Sequence, residues 1–155
     1  MIMIMDVRYK KFVEAADLFV PTKKSAGNAD WDLYACEDTL IHAGHTVGVS
    51  TNLVIEFPEG WEAVIEQKSG LALNNSLTTL GGVIDNNYRG HIVVIIHNLG
   101  NKAFFVQKGT KIAQLKFREV SPEINWILAE SLSETDRGAK GFGSEGLKHA
   151  SINTC

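Results

Sequence analysis

Short β-branched runs separated by turn residues recur along this chain at about the 8–12-residue spacing of an all-β sandwich or barrel. HTVGVSTNLVIEF and WEAVIEQ flank Phe57-Pro58-Glu59-Gly60, where proline and glycine sit at positions a type I turn prefers, and the pair reads as a β-hairpin. HIVVIIHN and AFFVQ flank Leu99-Gly100-Asn101-Lys102, a second hairpin signal. Trp31, Leu33 and Ala35 alternate with Asp32, Tyr34 and Cys36, which predicts a half-buried strand with Asp32 on its polar face. The stretch from Val7 to Val20 has no clean period and is compatible with a strand or a short helix, ended by Pro21. LALNNS suggests a single helical turn. No helical window exceeds a few turns and no internal repeat is found, so a single all-β domain is expected. A chain of 155 residues is long enough for that, burying roughly two-thirds of its unfolded surface.

Charge and composition narrow the function classes. A net charge of −3 argues against bulk binding of a nucleic-acid backbone, which asks for a basic face. No stretch approaches the ~20 apolar residues of a membrane span. MIMIM is too short for a secretory core and meets Asp6 at once. A soluble, cytoplasmic protein with neither nucleic acid nor membrane as partner is expected. Cys36 and Cys155 are too few for a disulfide framework or a cysteine-based zinc site. His42, His45, His91, His97 and His149 show no ligand-type clustering with acids and read as surface or strand-pairing residues. Trp31, Trp61 and Trp126 read as core or subunit-contact residues.

Three stretches carry chemistry. GGVIDNNYRG, Gly81 to Gly90, lies between a turn-rich run and an apolar strand, and reads as a rigid loop at the mouth of a sheet. Its glycines let backbone approach a ligand, while Asp85 brings a carboxylate and Tyr88 a flat ring. A plain Asx turn with Tyr88 as hairpin packing explains the same residues. Lys68-Ser69-Gly70 interrupts the strand pattern, and a Ser-Gly step entering a helical turn can turn N–H groups and a hydroxyl toward an anion. RGAKGFGSEG, Arg137 to Gly146, is too glycine-rich to form a core element. It reads either as a loose tail or as an arm that closes over an anion.

Five segments in order, SAGNADWDLYA, KSGLA, GGVIDNNYRG, KGTKIAQL and RGAKGFGSEG, resemble the five signature motifs of the homotrimeric dUTPase family. They span about Ser25 to Gly146. Other phosphate-binding glycine motifs, GxxxxGK[ST] and a strand-following GxGxxG, are absent. The resemblance implies an all-β jelly-roll β-barrel of about residues 1–130 with a flexible glycine-rich arm over 131–155. It implies a homotrimer with active sites at subunit interfaces. The reaction implied is hydrolysis of dUTP to dUMP and pyrophosphate with Mg²⁺, which keeps uracil out of DNA and supplies dUMP for dTMP synthesis. By motif position, Asp85 resembles the catalytic carboxylate that holds the attacking water, and Tyr88 the ring packed on the deoxyribose. Leu77 to Val83 resembles the hairpin that reads uracil, bringing Thr79, Gly82, Val83 and Ile84 to substrate. Lys68, Ser69, Gly70 and Gln114 resemble phosphate-side residues, and Asp32 the acid that supports magnesium through water. Arg137, Phe142, Gly143 and Ser144 resemble the closing arm, with Phe142 stacked on uracil.

The chain departs from the family pattern at several of these positions. Lys68 stands where the family usually has Arg, which turns a bidentate phosphate contact into a point charge. Asp30 replaces a small residue, and Thr79 falls where many members have an Asn. Glu145 replaces a Thr near the expected γ-phosphate, with Lys140 nearby as an offsetting cation. The expectation is that Glu145 points outward and Lys140 inward. Val93 to Ile96 is expected to be fully buried, as at a trimer axis. Two other readings compete. One is a dCTP deaminase or bifunctional deaminase–diphosphatase, although KSGLA lacks the second serine and downstream arginine of that group. The other is a nucleotide-responsive regulatory protein that kept the pocket and lost turnover.

Overall fold

The computed structural model describes residues 4–141. The chain divides into two units, Met1–Pro122 and Glu123–Cys155.

Among the described residues the first unit has ten strands and one short helix. In chain order these are β1 (Arg8–Lys11), β2 (Trp31–Tyr34), β3 (Thr39–Ile41), β4 (Thr46–Glu56) and β5 (Trp61–Glu66), then α1 (Ser69–Asn75). They are followed by β6 (Leu77–Leu80), β7 (Val83–Ile84), β8 (Ile92–Asn98), β9 (Phe104–Val106) and β10 (Lys111–Glu119). They form antiparallel sheets ordered β1-β4-β8-β6 and β2-β10-β5-β7, with a small pair β3-β9. The all-β expectation holds, as a layered set of sheets rather than one closed barrel. Between the layers Leu33, Ile41, Val49, Leu53, Val94, Ile96, Val106 and Ile112 are fully buried. Each such side chain contributes about 1.5–3 kcal/mol.

Neither expected hairpin forms. β4 and β5 lie in different sheets, as do β8 and β9. Phe57 is the physical reason at the first turn. It is 4% exposed and packs edge-on against Phe117 of β10, centroids 5.4 Å apart, so the chain crosses the core there. At the second turn, buried Asn98 donates to the carbonyls of Ile41 and Lys102 and accepts from the Gly100 amide. That redirects the chain to pair β9 with β3.

The expected alternation holds at Leu33 and Ala35, which are buried, but not at Trp31, which lies at the start of β2 and is 42% exposed. Cys36 departs from it, because the strand ends at Tyr34 and Cys36 turns into the interior. The run Val93–Ile96 is not buried throughout. Val94 and Ile96 face the core, whereas Val93 is half-buried and Ile95 is 41% exposed. Trp61 packs against the core, and Trp126 is 89% exposed.

Beyond Lys11 the ambiguous N-terminal stretch is neither strand nor helix. Asn52 organises it, its Nδ2 donating to the carbonyls of Val13, Ala16 and Asp17 while its Oδ1 accepts from the Val13 amide. Asn52 itself sits at φ 57 in a bulge where the register of β4 on β8 shifts between Ser50 and Leu53.

In the second unit, residues 123–141 contain no helix or strand. A turn at its described end is closed by the Gly138 amide on the Thr135 carbonyl and by Arg137 Nε on the Lys140 carbonyl, 3.0 Å each.

Candidate active site

The loop Asp85–Gly90 is held from three sides. Asn86 Nδ2 donates to the carbonyls of Phe57 and Pro58 at 2.7 and 2.8 Å, binding the loop to the crossing turn. The Tyr88 amide closes a turn on the Asp85 carbonyl, 3.0 Å, and the Tyr88 hydroxyl donates to the His91 carbonyl, 3.0 Å. Arg89 reaches the carbonyls of Asn86 and Tyr88 and the carboxylate of Glu56. A loop so braced keeps Asp85 exposed, and Tyr88 is 45% exposed. Among the described residues the Asp85 carboxylate is engaged in no hydrogen bond or ion pair, so it faces solvent as an available acceptor.

Two glycines make this geometry possible. Gly82 has φ +107, and a Cβ there would lie 2.8 Å from the Ile65 carbonyl oxygen, which the β5–β7 pairing brings close. At Gly90 a Cβ would fall 2.4 Å from the Tyr88 ring, which lies directly over it.

The phosphate-side residues collect at the other end of the same sheet. Gln114 of β10 stands between Asp32 of β2 and Glu66 of β5 in register, and its Nε2 donates to the Gln67 carbonyl. Lys68, in extended conformation just before α1, places its Nζ 2.6 Å from Asp32 Oδ1. Lys111 Nζ takes the other carboxylate oxygen at 2.8 Å. Burial alone pushes the Asp32 carboxyl up, but Lys111 and Lys68 outweigh it and hold the group below its ordinary value. Lys111 is correspondingly raised by Asp32. Ser69 and Gly70 open α1 and are exposed. Thr79 is half-buried on β6 and lines a narrow cleft with Lys68, Gln67, Leu71 and Thr78.

The two groups attach near opposite ends of β5. Asp85 follows Ile84, which pairs with Ala63 near the start of β5. Ser69 lies three residues past its end at Glu66. From Ala63 to the end of β5 is ~10 Å at ~3.3 Å per residue, and the chain then leaves the strand and reaches Ser69 at the start of α1. Arg137 and Lys140 are exposed within the second unit. Phe142, Gly143, Ser144 and Glu145 lie outside the described residues.

Asp30 is a departure with a structural cost. Its Oδ1 is buried without a hydrogen-bond partner, and Lys116 Nζ approaches only to 3.7 Å, shared with Glu66. Sequence reasoning singled out neither Lys111 nor Asn86. Lys111 lies three residues before Gln114 at a kink in β10 register, a placement no period discloses. Asn86 was signalled only by the Asp-Asn-Asn turn composition.

The donor set bears on magnesium. Mg²⁺ takes oxygen ligands, keeps several waters and is commonly held by one or two carboxylates together with substrate phosphates. Among the described residues no group of three carboxylate, histidine or cysteine side chains could hold a metal. Asp32 has both oxygens occupied by lysines, which leaves it spare lone pairs for a water rather than a bare ion. These residues fit an ion that travels with the substrate's phosphates.

Fold and loops together define an all-β protein whose candidate site residues sit on strands and strand-end loops rather than on an α/β phosphate layer. A family model described as dUTPase matches residues 16–146, and the chain belongs to the dUTPase family. A probable deoxyuridine 5′-triphosphate nucleotidohydrolase of Schizosaccharomyces pombe is 44% identical over 83% of this chain and 91% of its own length. The deoxyuridine 5′-triphosphate nucleotidohydrolase of Saccharomyces cerevisiae is 37% identical over 86% and 91%. Among solved structures, a Staphylococcus bacteriophage 80alpha dUTPase mutant with dUpNHpp superposes with a TM-score of 0.77 at 22% identity, covering 92% of this chain and 99% of the phage chain. A dUTPase mutant from phage phi11 of S. aureus, described as coordinating a structural Mg(II) ion, gives a TM-score of 0.71 at 18% identity, covering 81% and 98%. No helix among the described residues is long and apolar enough to cross a membrane.

Proposed function

We propose that this chain hydrolyses dUTP to dUMP and pyrophosphate, with Asp85 orienting and activating the attacking water. The observation that carries the reading is the Asp85 carboxylate, exposed and uncommitted on a loop that Asn86, Tyr88 and Arg89 brace from three sides. Attack on the α-phosphorus is mainly a positioning problem, and an aspartate within hydrogen-bond reach of the water polarises it. The water oxygen bonds to the α-phosphorus and its proton passes to Asp85. The bond from that phosphorus to the bridging oxygen breaks, and pyrophosphate departs with the electron pair.

Tyr88 packs against the deoxyribose, where a ribose 2′-hydroxyl would collide with its ring. Gly82, Val83 and Ile84 offer backbone to the base, with Thr79 at the edge of the same hairpin. Lys68, Ser69, Gly70 and Gln114 bind phosphate. Mg²⁺, steadied by Asp32 through water, neutralises much of a triphosphate's roughly four negative charges. Residues from about 131 onward act as an arm that excludes water, with Arg137, Gly143 and Ser144 at phosphate and Phe142 on uracil.

The attachment of Asp85 and Ser69 near opposite ends of β5 supports sites shared between subunits, as in a homotrimer where a loop from one subunit faces the phosphate residues of another. The exposed apolar side chains Leu80, Val83 and Ile95 support subunit contact as well. Two cysteines and an acidic balance support a cytoplasmic setting.

Pyrophosphate release from dUTP, UTP, dCTP and dTTP, with and without magnesium, tests this reading. Turnover confined to dUTP and dependent on magnesium supports it. Ammonia from dCTP would replace it with the deaminase reading, and nucleotide binding without turnover with the regulatory one. Asp85→Asn should bind dUTP and scarcely turn over.

A further inference from the structure

We propose that His91 is a positioning residue for sugar discrimination, its ring tethered to the β4 bulge so that its backbone carbonyl holds the Tyr88 hydroxyl in place. The proposal rests on the reading of Tyr88 as the sugar-facing ring. His91 follows the last glycine of the loop and immediately precedes β8. Its carbonyl accepts the Tyr88 hydroxyl at 3.0 Å. Its Nε2 lies 3.0 Å from the Asn52 amide and 2.9 Å from Ser50 Oγ, and the Phe12 ring stacks on it at 4.7 Å and 11°.

This arrangement selects one form of the ring. A backbone amide can only donate, so Nε2 is the lone-pair nitrogen and Nδ1 carries the proton. Ser50 Oγ accepts from Cys36 Sγ at 3.0 Å, which leaves its own hydrogen to point at Nε2. The Asn52 amide sits at the bulge, where the ladder between β4 and β8 loses register. The imidazole thus supplies the acceptor that the interrupted ladder does not, at the residue that anchors Tyr88. A glutamine can accept from the same amide without titrating, and an alanine cannot.

Protonation breaks the tether at the Asn52 amide. An imidazolium has no lone pair at Nε2, so the Asn52 amide loses its acceptor and meets a new N–H, which Ser50 Oγ can accept instead. Burial pushes His91 below the ordinary histidine value, and the carboxylate of Glu37 pulls it partly back. The groups that contact its ring, Ser50, Asn52 and Phe12, bring no formal charge. The released ring therefore takes up a proton first as pH falls. The tether is whole above the ordinary value of about 6.5 and is lost as pH drops through the lower native one.

The test uses the full chain with dUTP and UTP between about pH 5 and 8, the range in which histidine titrates. In the parent, the dUTP-to-UTP ratio of kcat/KM should fall at acid pH with the midpoint at which the His91 ring titrates by NMR. His91→Gln should keep a near-parental ratio that no longer varies with that midpoint. His91→Ala should lower the ratio roughly tenfold at every pH, as loosened positioning does. In the nucleotide-free parent, the Tyr88 ring resonances should follow the His91 midpoint. A Gln variant with the parental acid fall, or Tyr88 resonances blind to His91, overturns the proposal. A parental ratio in Tyr88→Ala would instead overturn the sugar reading of Tyr88, which the nucleotide-free resonances do not depend on.

Discussion

Lys68 Nζ lies 2.6 Å from Asp32 Oδ1, joining the residue before α1 to the polar face of β2. With Lys111 on the other oxygen, one carboxylate balances two ammonium groups. The Asp32 side chain is 13% exposed, while Lys68 is 25% and Lys111 46% exposed, so the lysines keep water of their own. Asp32→Asn leaves two cations facing each other. Because Lys111 remains 46% exposed, the loss is discounted from a fully buried pair to about 1–2 kcal/mol. Urea unfolding at neutral pH measures it. The carboxyl is held below its ordinary value, so its contribution is present above about pH 4 and disappears as pH falls further. Parent and variant should therefore converge in acid.

Asn86 binds the Asp85 loop to the crossing turn through two carbonyls. Asn86→Ala removes both hydrogen bonds, at about 1–2 kcal/mol of stability. The larger effect is expected on chemistry, since a displaced water-holding carboxylate lowers kcat by ~10- to 100-fold while ground-state binding persists. Steady-state kinetics with dUTP separates the two, and a KM that rises with kcat unchanged would contradict it.

Gly90→Ala sets a Cβ 2.4 Å from the Tyr88 ring. No left-handed backbone is required at Gly90, so the change moves the ring and little else. Discrimination against UTP should fall while the melting temperature stays near the parental one. Gly82→Ala is the contrast. There the clash is with the Ile65 carbonyl and φ is +107, so β7 separates from β5 and stability falls by about 1–3 kcal/mol. Thermal melts and the UTP-to-dUTP ratio, taken on both variants, distinguish a ring effect from a backbone effect.

The reach of the sequence is clear from particular residues. Trp31 to Ala35 alternate, and Leu33 and Ala35 are buried as that alternation requires. The same periodicity is silent on which strands pair, because pairing is decided by where a turn delivers the chain. Pro58 and Gly60 mark a turn equally well whether it folds back or crosses the core, and buried Phe57 makes it cross. Asp85 and Tyr88 stand out as residue types on a glycine-bounded loop. Lys111 and Asn86 act through partners distant in the chain, Asp32 and Phe57, and local pattern holds no trace of such partners.

The separation of Asp85 from Ser69 gives the most decisive prediction. β5 lies between them like a ruler, with Ile84 paired near its start and Ser69 beyond its end. A site built within one chain would need Asp85 and Ser69 on the same α-phosphate, although they attach near opposite ends of β5. A site built between subunits needs Asp85 from one copy and Ser69 from another. Asp85→Asn and Ser69→Ala are each expected to be nearly inactive alone. When the two are unfolded together and reassembled in equal amounts, a site is whole only where the Ser69→Ala subunit supplies Asp85 and the Asp85→Asn subunit supplies Ser69. Random assembly in a closed ring makes that about one site in four, so roughly a quarter of parental activity should return. Sites confined to single chains would return none, and activity that stays at the level of the separate variants would refute the shared site.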